Sequence, residues 1–275
     1  MLASFAIQIK PEQNAFLPLN LGTSLHALFL ALIANSQPEL AQQLHSDQPL
    51  KPFTVSPLEG KFARTGSHLV ALADNTYWFR FTVLTEEVFT AINKALLSKF
   101  TSNAKINLNG NDFSIASITL EPTADTTWGG ITSFEEIYEH AATEPEITFL
   151  FHSPTTFRHK GMNLPFPASA LIWNSLWEKW NAFAPIAINS EFKDYADEHI
   201  ALARYNLRTR MINLADAKQV GFTGKCQYLC LTQDSQWLRQ INALADFALY
   251  SGVGAKTTMG MGQTRRINNA GTLSH

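Results

Sequence analysis

The chain has little of several things, and each shortage narrows what it can be. Only two cysteines, Cys226 and Cys230, occur in 275 residues. They sit in an alternating stretch at a spacing that fits no metal or redox motif, so buried free thiols and a reducing cytoplasmic setting are expected. No apolar run reaches the ~20 residues that a membrane span needs, and the start, MLASFAIQIKPEQN, lacks a basic leader before an apolar block. Charged residues make up only 16% against 45% hydrophobic, which is globular rather than disordered composition. Catalytic signatures are missing as well. There is no G-x-S-x-G, no Walker sequence, no Asp/Glu cluster at metal-ligand spacing, and neither cysteine has a His partner. No metal and no cofactor are therefore expected.

Charge is scarce but unevenly spread. The net charge is -2 overall. Residues 1–150 hold 8 Lys+Arg and 15 Asp+Glu, a net of -7, whereas residues 151–275 hold 13 and 8, a net of +5. A basic half implies a face for a polyanion.

That half also holds the densest glycine cluster. In GVGAKTTMGMGQTRR, Gly252, Gly254, Gly260 and Gly262 fall within 11 residues, four of the 14 in the chain, and Lys256, Arg265 and Arg266 lie among and after them. Backbone in glycine-only conformations, or backbone that approaches something closely, is implied. The dinucleotide fingerprint is excluded, because the third glycine is missing and the segment follows an amphipathic helix.

Periodicity gives an order of elements. LASFAIQI alternates as a strand, and SLHALFLALIA, apolar almost all round, predicts a buried helix on which His26 is the only ionisable group. PELAQQLH predicts a second short helix with Pro38 in its first turn and His45 at its end. The proline-rich SDQPLKPFTVSPLEG that follows reads as a loop holding Lys51. Two strands over 67–72 and 76–84 are expected to form a hairpin. Thr85 then caps a helix over TEEVFTAINKALL, and a strand over 112–120 completes a βαββαβ, or ferredoxin-like, unit.

An acidic connection over 121–144 includes a short helix at 133–140, and the same order then repeats. EITFLFHS is a strand, a Trp-rich helix spans about 168–180, and ALARYNLRTRMINL and QVGFTGKCQYLCL are two long strands. SQWLRQINALADFALY is an amphipathic helix, and TTMGMGQTRRI is the last strand. The expected fold is thus α+β: two tandem ferredoxin-like (RRM-like) domains, 1–125 and 140–275, with a C-terminal glycine-rich loop.

Three N-terminal groups could carry chemistry. His26 and His45 can act as acid or base near neutral pH, and Lys51 can stabilise charge on a crowded phosphate, which are the parts for cutting RNA without a metal. A packed core histidine is the plainer reading of His26. In the basic half, Arg158, His159 and Lys160 share a loop, Arg204, Arg208 and Arg210 share one strand face, and Lys256, Arg265 and Arg266 accompany the glycines. A solvated strand face is the plainer reading of the arginine row. Trp173, Trp177 and Trp180 at helical spacing read as core, whereas Phe157, in a loop, is a candidate for stacking on a base.

Taken as a series, LHALFLALIANSQPELAQQLH, KPFTVSPL, SPTTFRHKGMNLPFP, QVGFTGK and FALYSGVGAKTTMGMGQ resemble the CRISPR-associated endoribonucleases of the Cas-six family, within the RAMP superfamily. The resemblance runs from about residue 17 to residue 265. It implies tandem ferredoxin-like domains and metal-independent cleavage of precursor CRISPR RNA within each repeat, giving 5′-hydroxyl and 2′,3′-cyclic phosphate ends. It implies that His45 is the catalytic histidine, that Lys51 assists it, and that His26 matches a second active-site histidine of some members. A tyrosine that completes a triad in other members falls near Leu30 here and is absent. The four glycines match the family's glycine-rich loop against the RNA. The implied partners are the repeat RNA, other Cas proteins of an effector complex and a second copy of the chain. A non-cleaving RNA-binding subunit of such a complex shares the fold and stays open as the alternative.

Overall fold

The computed structural model describes residues 1–122, 127–214 and 217–267. The expected domain limit at residue 125 and the last eight positions of the chain lie outside them.

The first half runs β1 (Leu2–Pro11), β2 (Ala15–Pro18), α1 (Gly22–Ala34), α2 (Pro38–His45), β3 (Phe53–Val55), β4 (Ala63–Thr65), β5 (His68–Ala71), β6 (Tyr77–Val83), α3 (Glu86–Thr101), β7 (Ile106–Leu108), β8 (Asn111–Thr119), β9 (Gly130–Thr132) and α4 (Phe134–Glu139). Its main sheet has the order β3-β6-β1-β8-β7, and β9 also pairs with β1. The four strands of the expected unit are β1, β3, β6 and β8, so the order is second-third-first-fourth, that of a ferredoxin-like βαββαβ fold.

One strand of that unit differs from the expected one. The strand over 67–72 exists as β5, but it pairs with β2 and β4 in a separate three-stranded sheet, not with β6. The place beside β6 belongs to Phe53–Val55, in the stretch read as a loop. All three of its residues are buried. Pro52 and Pro57 leave too few residues for alternation to register, yet Phe53 and Val55 fill the core and Thr54 faces the other way.

The second half runs β10 (Glu146–Thr155), β11 (Phe157–His159), β12 (Met162–Leu164), α5 (Ser169–Phe183), α6 (Phe192–His199), β13 (Ile200–Leu214), β14 (Ala217–Cys230), α7 (Ser235–Ser251), a 3₁₀ turn at Thr257–Met259 and β15 (Thr264–Ile267). Its sheet order, β13-β14-β10-β15, is again second-third-first-fourth, with antiparallel neighbours throughout. The expected final strand is shortened to four residues, because left-handed backbone at Lys256, Gly260 and Gly262 bends the chain before it.

Among the described residues, two hydrophobic cores result. In the first, α1 and α3 lie on one face of the sheet and bury Phe5, Ile7, Phe29, Phe79 and Phe81. The helix α1, apolar almost all round, is not buried all round as expected: Ala27, Ala31 and Ala34 form an exposed stripe, while Leu25, Phe29, Leu32 and Ile33 are buried. In the second core, Trp173 and Trp180 are fully buried, as their spacing predicts. Phe157 is 5% exposed in that core and has no face left for a base. Cys226 and Cys230 are buried free thiols, raised by burial to about 12 and about 11. Among the described residues, no helix is long and apolar enough to cross a membrane.

The other face of the N-terminal sheet is also covered, but by polar contacts with the second half. Thr54 Oγ1 donates to Thr82 Oγ1 (2.6 Å), and Thr82 in turn donates to the carbonyl of Tyr250 at the end of α7. Arg80, fully buried, donates from Nε to Gln263 Oε1 (2.6 Å) and from Nη1 to Ser4 Oγ (3.2 Å), with its guanidinium 4.6 Å over the Trp128 ring. A buried cation held this way fixes one geometry, because moving either half strands its hydrogen bonds.

Candidate active site

The helix α1 starts at Gly22 and presents His26 one turn later, half-buried, with its ring stacked on Phe53 (centroids 5.6 Å). His45 is the exposed last residue of α2, and Lys51, six residues on, turns back to donate to the carbonyl of Ser46. The three are near enough for His45 and Lys51 to act electrostatically on His26. Burial is the main cause that lowers the His26 pKa; the electrostatic effect of His45 and Lys51 pushes the same way, and a backbone hydrogen bond from the ring to Thr258 opposes them. Burial also lowers Lys51. The group can therefore offer a neutral imidazole beside two further nitrogen groups, which is the equipment for proton transfer at a phosphate.

The backbone partner of His26 is in the glycine-rich segment. Nδ1 lies 3.1 Å from the carbonyl oxygen of Thr258, 232 residues away in sequence. The segment is folded on itself and onto its surroundings. Val253 N donates to Gly262 O, Ala255 N to Thr156 O, Gly262 N to Pro154 O, and Gly260 N to Val55 O in β3. Gly254 has φ +80, and a Cβ there would meet the Thr156 carbonyl oxygen at 2.4 Å, so only glycine fits. At the root of the segment Lys179, buried on α5, donates to the carbonyls of Ser251, Gly252 and Gly254 at 3.1, 3.0 and 3.4 Å. Burial pushes this ammonium down to about 7. Its three donors nonetheless meet three acceptors, two of them at the negative end of α7.

The remaining expected cations fall into two groups. Arg158, Lys160 and His159 are exposed on the β11–β12 hairpin, with Arg158 donating to Asn163 Oδ1 at 3.1 Å. Arg204, Arg208 and Arg210 are exposed on β13, and their partners Gln227, Thr223 and Gly221 put them on one face of the sheet. Registers across four strands give that face two rows, Ile267, Thr148, Gln227, Arg204 and Arg265, Leu150, Lys225, Asn206. Among the described residues no helix covers it, and a shallow depression runs over Thr148, Arg204, Asn206, Lys225 and Gln227. Lys256 is exposed on the 3₁₀ turn. Arg265 and Arg266, by contrast, are engaged. Arg265 lies 4.9 Å over Trp128, and Arg266, its side chain 9% exposed, bridges Asp246 (3.4 Å) and Glu144 (3.2 Å).

Sequence reading missed Gly22, Phe53, Arg80, Trp128, Lys179, Gln263 and the Thr258 carbonyl. A glycine two residues before SLH and a lysine between tryptophans were visible signals, but what they touch lies far along the chain.

Comparison with known proteins gives a consistent result. A family model described as CRISPR Cas6 N-terminal domain matches residues 1–139, and one described as CRISPR-associated endoribonuclease Cas6 matches residues 149–264. A CRISPR-associated endoribonuclease Cas6 from Streptococcus thermophilus is 29% identical over 136 residues, 48% of this chain and 55% of that relative's length. Among solved structures, a Cas6 product complex superposes with TM-score 0.81 at 29% identity, covering 97% of this chain and 99% of the other. Thermus thermophilus Cas6 superposes with TM-score 0.71 at 27% identity, covering 97% and 98%.

Proposed function

The chain belongs to the Cas6 family, and from that premise we propose that it is an endoribonuclease that cuts precursor CRISPR RNA once within each repeat, without a metal, by attack of a 2′-hydroxyl on the adjacent phosphate. The observation that carries this reading is the grouping of His26, His45 and Lys51, with His26 held against the glycine-rich segment. Cleavage by internal attack needs a base for the 2′-hydroxyl, an acid for the leaving 5′-oxygen and a cation for the phosphate, and this grouping supplies all three. Residues 1–125 carry the chemistry. Residues 140–275 carry the RNA, through the exposed cations Arg158, Lys160, Arg204, Arg208, Arg210 and Lys256. The partner is the repeat RNA of the protein's own locus, with other Cas proteins or a second copy as further partners.

The test is incubation of the protein with that repeat RNA in EDTA. One cut per repeat is expected, with a 2′,3′-cyclic phosphate on one product and a 5′-hydroxyl on the other. A 2′-deoxy nucleotide at the scissile position removes the nucleophile and should abolish cutting. Loss of cutting in EDTA, or continued cutting of the deoxy substrate, overturns the mechanism. RNA bound but never cut identifies the chain as a non-cleaving subunit instead.

A further inference from the structure

The hydrogen bond between His26 and Thr258 admits one direction only. A carbonyl oxygen accepts and cannot donate, so Nδ1 carries the hydrogen and, in the neutral ring, Nε2 carries the lone pair. We propose that the glycine-rich segment is part of the active site: the Thr258 carbonyl fixes this tautomer, Nε2 of His26 is the general base, and Gly22 is the positioning residue that lets the carbonyl reach the ring. This rests on the cleavage reading above and assigns the proton transfers that it leaves open.

The contact is built from both sides. Thr258 sits in the turn Thr257–Met259, bracketed by left-handed residues, Lys256 at φ 60 and Gly260 at φ 88. On one side the turn lies on the start of α1, where a Cβ on Gly22 would stand 2.0 Å from the Met259 carbonyl oxygen and 2.6 Å from its carbon. On the other side Gly260 N donates to Val55 O at 3.1 Å, in the strand whose Phe53 stacks on His26. The elements that hold the turn are thus the elements that hold the histidine. The charged groups acting on His26 are His45 and Lys51, both of which disfavour an imidazolium. Burial does the same. At neutral pH the ring is consequently unprotonated at Nε2 and able to take a proton.

In the step, Nε2 takes the proton of the 2′-hydroxyl while O2′ bonds to phosphorus and the P–O5′ bond breaks. The leaving O5′ takes a proton from the His45 imidazolium. No water is consumed, and the products are a 2′,3′-cyclic phosphate and a 5′-hydroxyl. Exchange with solvent then moves one proton off His26 and one onto His45.

Two measurements test the assignment. Long-range proton–nitrogen NMR on the RNA-free protein with ¹⁵N-histidine distinguishes the tautomers. A pyrrole-type Nδ1 and a pyridine-type Nε2 are expected for His26. The reverse pattern overturns the proposal whether or not the protein cuts RNA, whereas failure of the wild type to cut its repeat RNA overturns the nuclease reading. Gly22→Ala is the second arm. Displacing the turn by about an ångström should slow single-turnover cleavage on the order of 10²-fold, with repeat-RNA affinity kept within about threefold. It should also move the acidic limb of the pH–rate profile, expected below the usual histidine range in the wild type. An unchanged rate and profile overturn the role of Gly22. Should this variant fail to fold, the tautomer measurement on the wild type decides.

Discussion

The two halves share a strand order and differ in what covers the sheet. In the N-terminal half both faces are occupied, one by α1 and α3 and the other by a buried polar layer in which Ser4, Thr54, Arg80 and Thr82 meet Gln263, Trp128 and Tyr250. In the C-terminal half α5 and α7 take one face, and the other is left open with Thr148, Arg204, Asn206, Lys225 and Gln227 on it. A doubly covered sheet cannot accept a polymer, but it holds side chains at its end in fixed places. An open sheet with exposed cations can lie along a phosphate backbone. One topology thus suits two tasks, and what separates them is whether the second face of the sheet is packed against the rest of the protein.

The sharpest way to break that division is to remove the imidazoles. His26→Ala and His45→Ala should each lower single-turnover cleavage by about 10²- to 10⁴-fold with repeat-RNA affinity unchanged within a few fold. A parallel loss of binding, read by filter binding or fluorescence anisotropy, would merge the two tasks. Next comes the segment that joins them. Gly254→Val puts a branched side chain at φ +80 and against the Thr156 carbonyl, so a loss of about 3 kcal/mol in urea unfolding is expected, with RNA binding falling alongside. Normal stability and binding with cleavage alone lost would mean that the segment serves chemistry only. Smallest per residue is the open face. Replacing Arg204, Arg208 and Arg210 together by alanine should weaken binding at low salt. The slope of log affinity against log salt should flatten by about 0.7 for each phosphate of single-stranded RNA that the arginines no longer neutralise. The single-turnover rate at saturating protein should stay near that of the wild type. A rate that falls while the salt slope holds assigns the arginines to the scissile site.

How far these features were legible depends on how local their causes are. The long periodic elements β1, α3, β13, β14 and α7 announce themselves, and so does the repetition of their order. The three-residue β3 does not, because its identity comes from the strand it lies beside and not from its own pattern. The same limit applies to the site. His26, His45 and Lys51 are within reach of one reading because they lie close together in the chain, on two short helices and the loop after them. The Thr258 carbonyl carries no residue-type signal, and Lys179 looks like any lysine on an amphipathic helix until its three carbonyl partners are in view. Arg265 and Arg266 show the converse: they look available beside the glycines, but Trp128, Asp246 and Glu144 already hold them.

The 232-residue separation between His26 and Thr258 also sets an order of events during synthesis. Domains generally fold from the N-terminal side as the chain emerges. A nascent N-terminal domain would display both histidines and Lys51 while the turn that orients His26 had yet to be translated. The ribosome, itself a particle of RNA, would then carry an unfinished cutter whose last structural part arrives only with the closing segment of the second sheet.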